Sequence, residues 1–171
     1  LVIRNARLRA SPDLADIGIT GGQIASIAPR LAAGRTEVDA GGSLVTESFI
    51  DPHLHLDKVY TLSMLDEAAL RAYHGEGMAR AKEAIDLASR LKERYDRAWI
   101  LPNVRRALDA AVRHGVTHLR AFADVDRKAR LEGVEALVSA RREFGDRLTV
   151  QIVAFPQDGV VREPEATRWV S

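Results

Sequence analysis

The 171-residue chain contains no cysteine, which excludes disulfide staples and thiolate metal centres and is compatible with a reducing, cytoplasmic setting. It also lacks an excess of charge: 25 basic against 24 acidic residues leave a net +1, so no long-range field draws in nucleic acid or an anionic membrane. The basic pairs Arg127-Lys128 and Arg141-Arg142 are interleaved with acids, as on a solvated helix face. No apolar run reaches the ~18 residues of a transmembrane helix, and the amino terminus lacks the charged-then-apolar layout of a signal peptide. Neither nucleic acid nor membrane is expected as a partner. Aromatic residues are sparse at 5%, while 46% hydrophobic and 29% charged residues are ordinary globular values. The chain begins with Leu1 in what reads as mid-strand, so a preceding segment is expected.

What is present falls into two patterns. Residues 1–9 read as a short strand broken by Ser11-Pro12-Asp13. Ala15 to Thr20 and Gln23 to Ala28 alternate around Gly21-Gly22, a hairpin signal, because glycine reaches the positive φ that tight hairpin turns require. Thr36 to Asp39 is a short strand and Gly41-Gly42 a further turn. These first ~45 residues make a β layer too thin to hold a core alone.

After Lys58 the pattern changes. Thr61 to Gly77 is polar and irregular, long enough for a lid or binding loop. Met78 to Trp99 has helical apolar spacing at Ile85, Ala88 and Leu91, and a second helix is expected from Pro102 to His114, stopped by Gly115. Val116 to Ala123 reads as a buried strand. Arg127 to Phe144 reads as a helix whose apolar face carries Leu131, Val134, Leu137 and Val138. Leu148 to Phe155 is a second apolar strand, and Glu163 to Val170 starts another helix. Strands alternating with helices of this length predict parallel βαβ units.

Between the two patterns lies Phe49-Ile50-Asp51-Pro52-His53-Leu54-His55-Leu56-Asp57. Its alternation predicts a strand, with Pro52 at an end or beside a bulge because proline cannot donate to a ladder. Residues two apart in a strand face the same way. His53 and His55 therefore stand with Cα atoms roughly 6.6 Å apart at ~3.3 Å per residue, a separation from which two imidazoles can converge on one metal ion. Two partly exposed strand histidines are the alternative.

This stretch, with the glycine-punctuated strands before it, resembles the amidohydrolase superfamily. Leu148-Thr149-Val150-Gln151-Ile152-Val153-Ala154-Phe155-Pro156-Gln157-Asp158-Gly159 is similar to the corresponding strand and loop of its cytosine deaminase-like group. The likeness covers nearly the whole chain in element order and is sharp in these two stretches. It implies an α/β chain: residues 1–48 as a small β-sandwich portion, and residues 49–171 as the first three βα units of a (β/α)8 barrel. Three strands cannot close a barrel that needs eight, so the remainder of the barrel is expected as a missing or separate segment.

The resemblance further implies one divalent ion, Fe2+ or Zn2+, on His53 and His55. Gln157 would hydrogen-bond the polar edge of a small heterocyclic substrate and Phe155 would line its pocket. The expected activity is hydrolytic deamination of a cytosine-like pyrimidine or related cyclic amidine, by water whose pKa the ion lowers towards ~7. A further His, an Asp and a proton-shuttling Glu would lie beyond Ser171, so the segment itself shows no catalytic acid or base. A cytoplasmic enzyme, homo-oligomeric when complete, is expected. Two alternatives stay open: release of an alkylamine from an aminotriazine, and a catalytically silent half-barrel.

Departures from the pattern bear on specificity. Many relatives carry Thr-His-Val-Asp where this chain has Ala121-Phe122-Ala123-Asp124, which puts strict cytosine specificity in doubt. Glu47-Ser48 replaces a common Pro-Gly. Asp57 and Lys58 could reach the pocket, or form a surface ion pair or loop anchor. Gln157 could equally cap its loop, and Phe155 could be core. His118, early in its strand, reads as structural, and His74 and His114 read as surface residues.

Overall fold

The computed structural model describes residues 1–9, 11–64, 67 and 90–170, in two compact units, Leu1–Ser48 and Phe49–Ser171. The first unit is one four-stranded sheet built from β1 (Val2–Arg7), β2 (Leu14–Thr20), β3 (Gln23–Ala28) and β4 (Glu37–Asp39), in the order β3-β2-β1-β4. The β2–β3 hairpin turns at Gly21 and Gly22, with φ of 60° and 78°, as the Gly-Gly signal requires. β4 returns parallel to β1. Arg4 ties these strands together: its guanidinium donates to Asp16 Oδ2 at 2.6 Å, to the Leu31 carbonyl at 2.7 Å and to both oxygens of Glu37. Asp16 is held well below the usual carboxylate range, first by the Leu31 N–H and then by Arg4. Ile24, Ile27 and Val38 remain exposed, as befits a layer too thin to bury both faces.

The second unit carries β5 (Phe49–His55), β6 (Val116–Asp124) and β7 (Thr149–Phe155) as a parallel sheet in the order β5-β6-β7. Two helices, α1 (Arg97–Arg113) and α2 (Glu132–Phe144), supply the core with it, and α3 (Thr167–Val170) follows a 3-10 turn at Pro164–Ala166. Leu119, Ala121 and Ala123 of β6 and Val150 of β7 are buried against Ile100, Val104 and Leu108 of α1 and Ala136, Leu137 and Ala140 of α2. The intervening residues His118, Arg120 and Gln151 are exposed, so the sheet has one covered and one open face, the period-two consequence of the strand pleat. Pro52 lies inside β5, where the register slips between Asp51 and Leu54. A bulge accommodates the missing donor.

Two element boundaries and one helix face differ from expectation. The helix predicted from Pro102 begins at Arg97, because the Asp96 side chain accepts the Ala98 N–H at 2.7 Å and caps it there. The helix predicted from Arg127 begins at Glu132. Asp126 Oδ1 accepts the N–H groups of Lys128 and Ala129, and Arg130 adopts φ 51°, so residues 127–131 form a turn. The inner face of α2 is also rotated from the predicted Leu131, Val134, Leu137 and Val138 to Gly133, Ala136, Leu137, Ala140 and Phe144. Small residues win because the helix lies close to the strand ends. The loop expected over Thr61 to Gly77 and the helix from Met78 fall largely outside the described residues.

Gly133 sets that close approach: a Cβ there would lie 3.0 Å from the Asp57 Cβ and 3.4 Å from the Ala123 Cβ. Gly133→Val is expected to lower stability by about 1–3 kcal/mol through overpacking, measured as a urea midpoint shift. Gly42→Ala is not a fair control, because its φ of 77° strains any side chain.

Candidate active site

In a parallel sheet all strands end on the same side, and here the last residues of the three strands are His55, Asp124 and Phe155. The register sets His55 beside Phe122 and Asp124 beside Phe155. The His53 and His55 rings meet edge to face with centroids 5.4 Å apart. Phe122 stacks on His53 at 4.2 Å, and Phe155 meets both His55 and Phe122 at 5.5 Å. The two histidines and Phe155 are thus brought together, with Phe122 as the fourth ring of the cluster.

Behind His55 the strand runs straight into a 3-10 turn, Leu56–Lys58, that buries Asp57. Asp57 is therefore not part of a surface ion pair, and Lys58 pairs inward with the buried Asp124. Asp57 is 1% exposed; its Oδ2 accepts the Tyr95 hydroxyl and the Asp124 N–H, each at 2.9 Å. Asp124 is equally buried, and its Oδ2 accepts from Lys58 Nζ at 2.8 Å, with Lys92 Nζ at 3.5 Å. Lys92 also bonds Asp126, and it reaches Asp158 at 2.8 Å. The other oxygens, Asp57 Oδ1 and Asp124 Oδ1, stand 3.8 and 3.6 Å from His55 Nδ1. All three of these atoms are buried without a hydrogen bond.

The electrostatics follow from this packing. Burial, then the neighbouring Asp124 charge, pushes the Asp57 carboxyl above its usual range. Burial also opposes ionisation of Asp124, but the nearby His55 and the ammoniums of Lys58 and Lys92 outweigh it and hold that carboxyl low. Tyr95 is pushed upward by burial and by Asp57, so its hydroxyl remains a donor. Lys92 is driven upward as well: burial works against its charge, and Asp126 and Asp158 overcome that.

Gln157 lies exposed on the loop after β7, next to Asp158, whose carboxylate is tied to Lys92. His118 sits at the opposite end of β6, level with Ile50 and Thr149, beside the Thr117 hydroxyl. His114 caps the carboxyl end of α1 and is exposed, and His74 falls outside the described residues. Sequence reasoning missed Lys92 and Tyr95. Lys92 sits in the charged run Arg90-Leu91-Lys92-Glu93-Arg94, which carries no sign that one lysine turns inward. Asp124 and Asp126 left a weak signal, two acids directly after an apolar strand. A second acidic group, Asp126, Asp158 and Glu163, has Lys92 Nζ bonded to two of its members.

Paired histidines and buried carboxylates thus stand together at the carboxyl end of a parallel sheet. Residues 36–168 match the model described as "Amidohydrolase family", and the chain belongs to that family. It is 33% identical over 162 residues to N-isopropylammelide isopropyl amidohydrolase of Pseudomonas sp. (strain ADP), covering 93% of this chain and 39% of that protein. Among solved structures it resembles 5-methylcytosine deaminase of Klebsiella pneumoniae liganded with 5-fluorocytosine (TM-score 0.80, 27% identity, 99% of this chain and 40% of that one). It also resembles N-isopropylammelide isopropylaminohydrolase of Burkholderia multivorans (TM-score 0.75, 27% identity, 98% and 40%). The chain spans about 40% of the length of these relatives.

The residues present fit a divalent cation, as the family implies. The His55 ring nitrogen groups with Asp57 and Asp124, the His53 ring lies beside it, and four carboxylates (Asp57, Asp124, Asp126, Asp158) face only two ammoniums (Lys58, Lys92). With all of them ionised, the excess is two negative charges. The raised Asp57 pKa is the response of a buried carboxylate short of counter-charge.

A raised folded-state value means that the folded protein holds a proton on Asp57 where the unfolded chain, near 3.8, has released it. Stability from this group is full below that value and is lost as pH rises through the folded value. In metal-free protein, Asp57→Asn keeps an oxygen for Tyr95 and the Asp124 N–H but cannot ionise. Urea denaturation with chelator is expected to show the variant gaining on the parent from pH 4 to pH 7; parallel pH profiles would contradict the assignment.

Proposed function

We propose that this chain is part of a metal-dependent hydrolase that cleaves the bond between a small nitrogen heterocycle and its exocyclic amine. The observation that carries this is the grouping of His55 with the buried Asp57 and Asp124 at the carboxyl end of a parallel sheet, with the His53 ring 5.4 Å from that of His55. Residues 1–48 are read as part of a β-sandwich, and residues 49–171 as the first three βα units of a (β/α)8 barrel whose remaining strands supply further ligands and the proton shuttle.

His53 and His55 would hold the ion, Fe2+ or Zn2+. When bound, the ion supplies Lewis acidity and a water acidified to near-neutral pKa. The remaining work belongs to the side chains. Gln157 offers both a donor and an acceptor to the amide-like edge of the ring and fixes which carbon faces the water. Phe155 and Phe122 wall the histidines with apolar surface, which strengthens every charge interaction inside. Lys92 anchors Asp158, and with it the start of the loop bearing Gln157. In the overall reaction water adds to the ring carbon, the C–N bond breaks, and the amine leaves carrying a proton.

The leaving group divides two versions. Ammonia release from a cytosine-like ring is favoured by the Ala154-Phe155-Pro156-Gln157 stretch and by the 5-methylcytosine deaminase likeness. Alkylamine release from a triazine is favoured by Phe122, which puts an aromatic face on His53 where many relatives of the first kind have histidine.

The test uses the full-length metal-loaded protein. Incubated separately with 5-methylcytosine, cytosine and N-isopropylammelide, it is expected to release ammonia or isopropylamine from at least one. No release from any of them, with metal bound, would overturn the proposal. His55→Ala is expected to lose both bound metal and turnover, read by metal analysis beside the amine assay. Gln157→Ala is expected to raise KM by about 10–100-fold with a smaller change in kcat, as for the loss of one or two hydrogen bonds to substrate at ~1–1.5 kcal/mol each.

A further inference from the structure

We infer that Lys92 is a positioning residue for substrate recognition, a buried clasp that holds the turn carrying Gln157 against the strand ends. This deepens the proposed function and rests on its reading of Gln157 as the residue that meets the ring. Pro156 to Gly159 form a turn closed by the Gly159 N–H on the Pro156 carbonyl at 2.9 Å, with Gly159 at φ 75°. Gln157 and Asp158 are its central residues, so whatever fixes Asp158 fixes the backbone from which Gln157 projects. Asp158 Oδ2 accepts from Lys92 Nζ at 2.8 Å, and the same ammonium bonds Asp126, just beyond β6. Lys92 is 2% exposed and lies in a 3-10 turn, Lys92–Arg94, ahead of α1. One side chain thus links its own turn, the end of β6 and the turn after β7.

Charge, rather than apolar burial, holds this turn. Val160 and Val161, which follow it, are exposed. Among the described residues, Asp158 carries the one side-chain bond from residues 156–162 to another element. The next tie is at Glu163, whose carboxylate accepts the Arg127 N–H at 2.9 Å. The competing role for Lys92 is neutralisation of the buried aspartates alone. That role is served without Asp158: Asp124 already has Lys58 at 2.8 Å, and Asp126 Oδ1 takes the Lys128 and Ala129 N–H groups. Asp158 is partly exposed, so water can solvate its carboxylate and burial does not oblige it to pair. Its bond to a buried ammonium instead brings the turn to a fixed point, and a bond between two ionised groups is among the stronger single ties open to a loop.

Replacing Lys92 would strand the charges of Asp124 and Asp126 and endanger folding, so the test is made from the loop side, with Asp158→Ala in the full-length, metal-loaded protein. Peptides covering residues 156–162 are expected to exchange backbone hydrogen about tenfold faster than in the parent, while those of β6 keep their rate. On whichever of 5-methylcytosine, cytosine or N-isopropylammelide the parent turns over, KM is expected to rise about 3–10-fold, with kcat changed less than about twofold and bound metal unchanged. Because the clasp acts through Gln157, adding Asp158→Ala to Gln157→Ala is expected to raise KM by less than about twofold further. Unchanged exchange in residues 156–162 would overturn the inference. So would a KM effect of the same size in both backgrounds, or a loss of kcat or metal with KM intact. If Gln157→Ala itself leaves KM where it was, the reading of Gln157 fails and the inference falls with it. A parent that holds metal yet releases no amine from any of the three sinks the proposed function, and the exchange comparison then decides by itself whether Lys92 clasps the turn.

Discussion

The structure of the second unit depends on a buried charge problem. Asp57, Asp124, Asp126 and Lys92 are each almost wholly removed from solvent, and each ion taken out of water costs several kcal/mol unless it is paired and hydrogen-bonded. The surrounding residues are what make that tolerable. Tyr95 donates to Asp57, the Asp124 N–H donates to the same oxygen, and Lys58 and Lys92 meet Asp124. Gly133 gives up its side chain so that α2 can close over the cluster. Even so, three polar atoms around His55 are left without partners. A fold selected for stability alone would fill such a place with apolar side chains, which is commonly neutral or stabilising; an incompletely satisfied polar pocket at strand ends is the mark of a site.

The sheet makes this pocket possible through direction. Parallel strands deliver their last residues to one side, so His55, Asp124 and Phe155, far apart in the chain, become neighbours with no dedicated scaffold. The covered face is made of alanines and short aliphatics that let the helices come near. The open face carries the rings. The bulge at Pro52 locally breaks the ladder without losing the pairing of β5 with β6, and His53 and His55 still turn towards each other beyond it.

Much of this was legible in the sequence, and the limits have physical causes. The His-x-His pair, the Gly-Gly hairpin and the apolar strands β6 and β7 are local patterns whose meaning depends on period two, and they stand where the alternation puts them. Helix starts were misread where a side chain overrides the periodicity: Asp96 starts α1 ahead of Pro102, and Asp126 holds residues 127–131 in a turn. The inner face of α2 was misassigned because hydrophobicity ranks Val134 and Val138 above Gly133 and Ala140, whereas close packing selects for size. Lys92 was illegible. Its burial is decided by three aspartates from other elements, and nothing in Arg90-Leu91-Lys92-Glu93-Arg94 distinguishes it from its exposed charged neighbours.

Phe122 joins the fold to specificity. It is the β6 residue facing the pocket two positions before Asp124, and in the register it lies beside His55. A histidine there would add a third titratable ring and a donor near the paired imidazoles. A phenylalanine instead removes a polar contact, stacks on His53 and joins Phe155 in an apolar wall. Hydrogen-bonding sites reject substrates that lack the matching group far more strongly than apolar pockets reject an added methylene. If the proposed function holds, replacing the polar group would relax what the pocket demands at that edge of the ring and make an alkyl-bearing amine less costly to admit. In the proposed function Gln157, on the neighbouring strand's loop, would still ask for an amide-like edge. On the proposed function, these two positions together would make a pocket strict towards the ring and permissive towards its substituent.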